Sequence, residues 1–175
     1  MAEKYSFRAK VEVFQGRLWS YHVIIPKDIF EKLDDAGTDR RVMVSINDHQ
    51  FQSAMMPAGD GQYFIMFNKE KRSILKINEG DDILLNIWPD ESKYGMEMPP
   101  EFLELMHQDP ELDRYFHDLT PGKQRNLLYI IGKVKNPDIK LHKALVIAQH
   151  LKMREGALDF RQLNEDFKNN KYGSF

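Results

Sequence analysis

The first half of the chain reads twice. "IPKDIFEKLDDAGTDRRVMVSI" (25–46) and "FNKEKRSILKINEGDDILLNI" (67–87) share one pattern. Tyr21 corresponds to Tyr63, Val23 to Ile65, Ile25 to Phe67, Pro26 to Asn68, Lys27 to Lys69, Asp28 to Glu70 and Leu33 to Leu75, all at an offset of 42. One gap later, Val42, Val44 and Ile46 correspond to Ile83, Leu85 and Ile87. Each copy is a strand, a helical turn opening on a Lys-acid step, an acidic loop and a second strand. Internal repetition constrains architecture before any single motif does. Two copies are too few for a solenoid. They suit a small closed barrel with a pseudo-twofold axis, which leaves no strand edge exposed.

The flanking segments agree. Phe7, Ala9, Val11 and Val13 alternate with polar or charged residues, the period of a half-buried strand. "LWSYHVII" reads as a second strand, and Pro26 opens a short helix. Asn47-Asp48-His49 reads as a tight hairpin and "PAGDG" (57–61) as a second turn, because Asn, Asp and Gly tolerate positive φ. After the polar stretch "DESKYGMEMPP" the period becomes helical: Leu112, Tyr115, Phe116 and Leu119 fall at i, i+3, i+4, i+7. Asp109-Pro110, Thr120-Pro121 and Asn136-Pro137 each pair an N-cap residue with a proline, and Gly156 suits a helix end. Leu141, Ala144, Leu145, Ala148 and Leu151 are the expected buried face of the Asn136 helix. The expected fold is α+β: a small pseudo-symmetric double-split β-barrel over 1–89, a linker over 90–98, and a small helical domain over 99–156. A tail over 157–175 holds a candidate last helix.

Composition removes several functions. The chain has no cysteine, so disulfides, thiolate catalysis and cysteine–zinc sites are excluded. The net charge is −2 with both signs mixed, which argues against a general polyanion binder. "MAEKYSFRAK" has no apolar signal core and no stretch is long enough to span a bilayer. A cytoplasmic location without membrane insertion is therefore expected. The six histidines form no His-x-x-x-His pair, and neither a phosphate loop nor a Gly-x-Ser-x-Gly elbow occurs. No metal, no cofactor and no catalytic residue is expected.

What remains is positive charge in particular places. The segment Ile139–Arg154 carries Lys140, Lys143, Lys152 and Arg154 with His142 and His150 and no acid. A basic helix face can meet phosphate or an acidic partner, although a solvated face is the commoner meaning. Lys27, Arg40, Arg41, Lys69, Lys71 and Arg72 fall near the ends of the expected barrel, mixed with acids that repel a phosphate backbone. The residues singled out for anion or nucleic-acid contact are Lys135, Lys140, Lys143, Lys27, Lys69 and Arg72. Asn47, His49 and Gln52 are singled out for a pocket near the hairpin. The aromatic residues, Trp19 and Trp88 among them, are expected to fill the core.

"FRAKVEVFQGRLWSYHVIIPKDI", "NDHQFQSAMMPAGDGQYFIMFNKEKR", "EGDDILLNI" and "PPEFLELMHQDPELDRYFHDLTPGKQRNLLYIIGKVKNPDIKLHKALVIAQHL" together resemble the bacterial YdeI/OmpD-associated proteins, also labelled bacteriocin-protection proteins. The resemblance covers roughly residues 5–151. It implies a small β-domain of uncharacterised function followed by a helical domain, with no established activity. Two departures stand out. The family's Asn-Gly-His hairpin reads Asn47-Asp48-His49 here. Its helical signature, Ala-Lys then Thr-Arg then Arg, reads Val134-Lys135, Ile139-Lys140 and Lys143, so Lys140 and Lys143 replace forked guanidinium groups. The repeat, through "IIPKDI" and "EGDDILLNI", also resembles the swapped-hairpin barrels of AbrB- and MazE-type regulators. The resulting expectation is a non-catalytic binding or interaction protein, linked by the family label to stress or bacteriocin tolerance, with a protein partner or an anionic ligand. A DNA-binding regulator is the second reading, nucleic acid being the less favoured partner. A small-molecule protein or enzyme with a site at the barrel–helix interface is the third.

Overall fold

The computed structural model describes residues 2–15 and 21–170, and the chain divides into two compact units, Met1–Glu91 and Ser92–Phe175. Unit 1 contains β1 (Tyr5–Lys10), β2 (Glu12–Val13), β3 (Tyr21–Ile25), α1 (Lys27–Asp34), β4 (Arg41–Ile46), β5 (His49–Ala54), β6 (Met56–Gly59), β7 (Gln62–Met66), α2 (Lys69–Leu75) and β8 (Asp82–Pro89). Leu18–Ser20 of the expected second strand, with Trp19, lie outside the described residues. "PAGDG" divides: Pro57–Gly59 continue β6, and the turn falls on Asp60-Gly61, both at positive φ.

The expected closed barrel is corrected to two open antiparallel sheets of four strands, ordered β1-β8-β4-β5 and β2-β3-β7-β6. The reason lies at two corners. Val11 separates β1 from β2, and Met55 separates β5 from β6. Both side chains are buried, and both amides make the last in-register bond of their first sheet before the chain crosses to the other: Val11 N–H donates to Asp81 O at 2.8 Å and Met55 N–H to Arg40 O at 2.9 Å. Each chain segment thereby switches sheets, the device that makes corners in orthogonally packed sheets. The edge strands β1 and β5 then end one sheet instead of pairing to close it. Val23, Ile25, Val42, Val44, Ile46, Ile65, Phe67, Leu85 and Ile87 alternate inward from the two sheets and form the core with Ile29, Leu33 and Leu75.

The internal symmetry runs through the whole unit. Exchanging β1–β4 with β5–β8 reproduces both strand orders. Val23 pairs in register with Ile65, and Ser45 with Asn86. Those are also the counterparts given by the repeat, so the pseudo-twofold axis passes between both pairs. The corner hydrogen bonds from Val11 and Met55 are counterparts too.

Unit 2 holds α3 (Pro100–Gln108), α4 (Pro110–His117), α5 (Pro121–Gly132), α6 (Pro137–Met153) and α7 (Phe160–Asn169). Side-chain oxygens of Asp109, Thr120, Asn136 and Asp159 accept first-turn amides of α4, α5, α6 and α7. Such caps satisfy donors that have no partner within the helix. At the other end of α4, Gln124 Nε2 lies within hydrogen-bond reach of three carbonyls, Phe116, His117 and Leu119. Phe102, Met106, Leu112, Phe116, Leu127, Leu128, Ile131, Ile147 and Leu151 build the core. The buried face of α6 is wider than its periodicity suggests. Val146 and His150 are buried, while Leu141 is 42% exposed. The cause is α7, which docks on this second side through Phe160, Leu163 and Phe167. Tyr94, Met96 and Met98, within the stretch read as a linker, pack on this core, whereas Asp90 is buried in unit 1.

Candidate functional site

In unit 1 the chemistry concentrates beside α2. Asn68 caps the helix, its side chain accepting Lys71 N–H at 2.8 Å, and this fixes the direction of the first turn. Lys71 is half-buried. Its Nζ donates to Gln52 O at 3.3 Å and sits 4.4 Å from the Phe51 ring centroid. Burial lowers the pKa of this ammonium, and the neighbouring Arg41 lowers it further against the opposing pull of Glu70. Among the described residues Lys71 has no carboxylate partner. Gln52 Nε2 donates to Asp90 Oδ2 at 3.0 Å, and the buried Asp90 donates its own N–H to Arg41 O at 3.0 Å. One position on, the Arg72 guanidinium lies 3.8 Å over the Tyr21 ring. The face of the guanidinium is thus satisfied by the ring, but its Nε is buried without a hydrogen-bond partner among the described residues. Arg41 and Lys71 bring positive charge together here in a half-dry setting, where an oxyanion interacts more strongly than in water.

The residues expected from the sequence distribute unevenly. Arg72 and Gln52 join this corner. Lys69 is exposed at the start of α2. Lys27 makes only an exposed 3.8 Å pair with Glu31. Asn47, at φ +52°, and His49 stay exposed at the β4–β5 turn, so of the three expected pocket residues Gln52 alone enters a side-chain network among the described residues. Lys71 and Asp90 complete the corner. Lys71 is recognisable in the sequence as charge but not as burial, and Asp90 carries no local signal at all. Trp88 is half-buried, with Lys4 Nζ 4.2 Å from its ring.

In unit 2 the basic run of α6 is largely absorbed internally. Lys152 donates to Asp109 Oδ2 at 2.6 Å, and Arg154 bonds Ala157 O and pairs with Asp159. Lys143 Nζ donates to Ile130 O at 3.4 Å, near the α5 C-terminus; burial and nearby Lys133 lower its pKa. Lys140 is half-buried and Lys135 exposed. His150 is a structural staple. Its Nδ1 lies 2.6 Å from Asp166 Oδ2, and its Nε2 accepts the Asp159 amide at 3.2 Å. Tyr94 OH meets His117 Nε2 at 2.7 Å, and His117 Nδ1 meets Asp113 O at 2.8 Å. Both imidazoles are therefore committed at both nitrogens. Among the described residues no group of three His, Asp or Glu side chains converges on a metal position, and no helix is long and apolar enough to cross a membrane.

By fold, then, this is an α+β protein that joins a duplicated two-sheet unit to a helical unit with five helices among the described residues, with a cationic corner on the first. Comparison with known families gives the two halves separately. Residues 95–152 match the bacteriocin-protection, YdeI or OmpD-associated family, and residues 7–87 match a domain of unknown function, DUF1905. No curated protein matches the chain.

Proposed function

We propose that the protein is a non-catalytic binding protein whose target presents negative charge. The observation that supports this reading is the Lys71 ammonium, half-buried beside Arg41 and without a carboxylate partner among the described residues. A lone cation held against burial and a like charge is unfavourable in the free protein. An incoming anion relieves both. Two of the six imidazoles agree with it, since those of His117 and His150 fasten helices through both ring nitrogens. The family description supports a link to bacteriocin tolerance, and we carry it over as part of this proposal.

The test is calorimetric titration of the full chain with phosphate, sulfate, acetate and a short mixed-sequence DNA duplex, each at low and at near-physiological salt. Saturable binding of at least one anion, weakened by salt, is expected. Absence of binding by all four at low salt overturns the reading. Steep salt dependence confined to the duplex favours a nucleic-acid regulator instead.

A further inference from the structure

The pseudo-twofold axis supplies an internal control that most binding sites lack. Each position beside α2 has a counterpart beside α1 in the same backbone setting. Buried Leu33 and Leu75 are counterparts, as are Ile25 and Phe67, and both pairs stay apolar. The tyrosines at the strand starts, Tyr21 and Tyr63, are kept as well. Each is covered by the helix of the other copy: Phe30 stacks on Tyr63 at 3.6 Å with an interplanar angle of 8°, and Arg72 lies over Tyr21 at 3.8 Å. Phe30 and Arg72 are counterparts, and so are Ile29 and Lys71. Phe7 and Phe51 are counterparts on the neighbouring strands, in register with the matching residues Leu85 and Val44. The fold thus solves the same packing problem twice. Beside α1 it does so with Ile29, 8% exposed, and Phe30; beside α2 it does so with a lysine and an arginine.

Packing does not require those cations, because Ile and Phe fill the equivalent places. They also carry a cost. Lys71 is held against burial and against Arg41, and the Nε of Arg72 is buried without a hydrogen-bond partner among the described residues. From this departure from symmetry, resting on the anion-binding reading above, we infer that the α2 corner of unit 1 is an oxyanion site, in which Lys71 and Arg72 take a phosphate or carboxylate group of the ligand. The lysine supplies a compact charge and the arginine a planar fork of donors, the two complementary ways in which proteins hold such groups. Gln52 and Asp90 fix the strand against which Lys71 lies. The α1 corner has Ile29 and Phe30 at these two positions, and the Arg40 guanidinium near its Tyr63 ring is paired with Asp34 at 3.1 Å, so it is the inactive copy.

The symmetry also designs the test. Lys71→Ile with Arg72→Phe writes the α1 solution into the α2 corner. Amide chemical-shift titration of the full chain with inorganic phosphate, with acetate as a second arm, reads binding by residue. In the native protein, phosphate or acetate should shift the amides of residues 52 and 71–72 saturably, and the stronger of the two names the source of the oxyanion. In the double variant the affinity should fall at least tenfold while the melting temperature rises by about 4 °C or more. Cations present only for structure would produce the opposite, a fall in melting temperature. That result overturns the inference. So does native-like anion affinity in the double variant, which places the anion elsewhere and leaves the broader reading intact. Absence of anion binding in the native chain removes both.

Discussion

Replacing His150 with alanine tests whether an imidazole holds the last helix of unit 2. The ring is 2% exposed and spans two parts of α7. Nδ1 bonds Asp166 in its second turn at 2.6 Å, and Nε2 accepts the amide of Asp159, its N-cap. A hydrogen bond to a charged group contributes about 1.5–3 kcal/mol. Leaving the Asp159 amide without its acceptor costs about 1 kcal/mol, the low end of the range because this end of the helix is exposed. The sum is roughly 2.5–4 kcal/mol before the lost ring packing is counted. Urea unfolding followed at 222 nm, where the helical unit dominates, should report a destabilisation of that size. A double-mutant cycle of His150→Ala with Asp166→Ala should return a coupling of about 1.5–3 kcal/mol. The effect has a definite pH dependence. Burial raises the Asp166 pKa, but the hydrogen bonds from His150 and Gln162 outweigh it and hold the carboxyl below its ordinary value. A depressed carboxylate contributes stability that is complete above its unfolded pKa and is lost as pH falls through the folded one. The gap between native and variant protein should therefore be full at pH 7 and narrow in acid below about pH 4. A cost below about 1 kcal/mol, or no coupling, refutes the staple.

Three further outcomes follow from the same reasoning. Gly156 sits at φ +85°, and a Cβ there meets Tyr115 Cδ1 at 2.8 Å, so Gly156→Ala should cost about 2 kcal/mol or more, read as a lower melting temperature. Asp109 caps α4 and receives Lys152, so Asp109→Ala should cost about 1 kcal/mol and Asp109→Asn much less, measured by chemical denaturation. Lys71 has a lowered pKa, so the unfolded chain holds its proton more tightly and the charged side chain weakens the fold at neutral pH. Lys71→Met should be the more stable protein at pH 7, and its advantage should shrink as pH rises toward the ordinary lysine value of 10.5, as a series of melts would record.

Much of the fold is legible in the sequence because it rests on local chemistry. The Lys27-Asp28 and Lys69-Glu70 steps open α1 and α2, and the three polar-residue–proline pairs open α4, α5 and α6. The alternation of Val42, Val44 and Ile46 gives β4 its inner face. The open sheets are not legible, since Val11 and Met55 look like ordinary strand residues, with buried side chains and amides still in register, and nothing local marks the change of sheet that follows them. The site is legible as charge and illegible as environment. Lys69 and Lys71 are alike on paper, yet rotation about the helix leaves the first in water and turns the second onto Phe51. His150 and Asp166 are too far apart in sequence for any local pattern to join them, and the basic run of α6 gives no hint that Asp109 and Asp159 neutralise much of it.

The pairing of Tyr5 with Ile87 has a consequence for how unit 1 comes into being. β8 lies between β1 and β4, so the sheet that begins with β1 lacks its second strand until almost the last residue of the unit has left the ribosome. Until then β1 has no neighbour on that side and the inner edge of β4 is bare. Non-local pairing of this kind folds slowly and leaves sticky edges open meanwhile. A chain stalled or cut shortly before Asp82 should therefore behave not as a smaller version of the unit but as an aggregation-prone fragment, most in need of a chaperone in the interval before Pro89 is made.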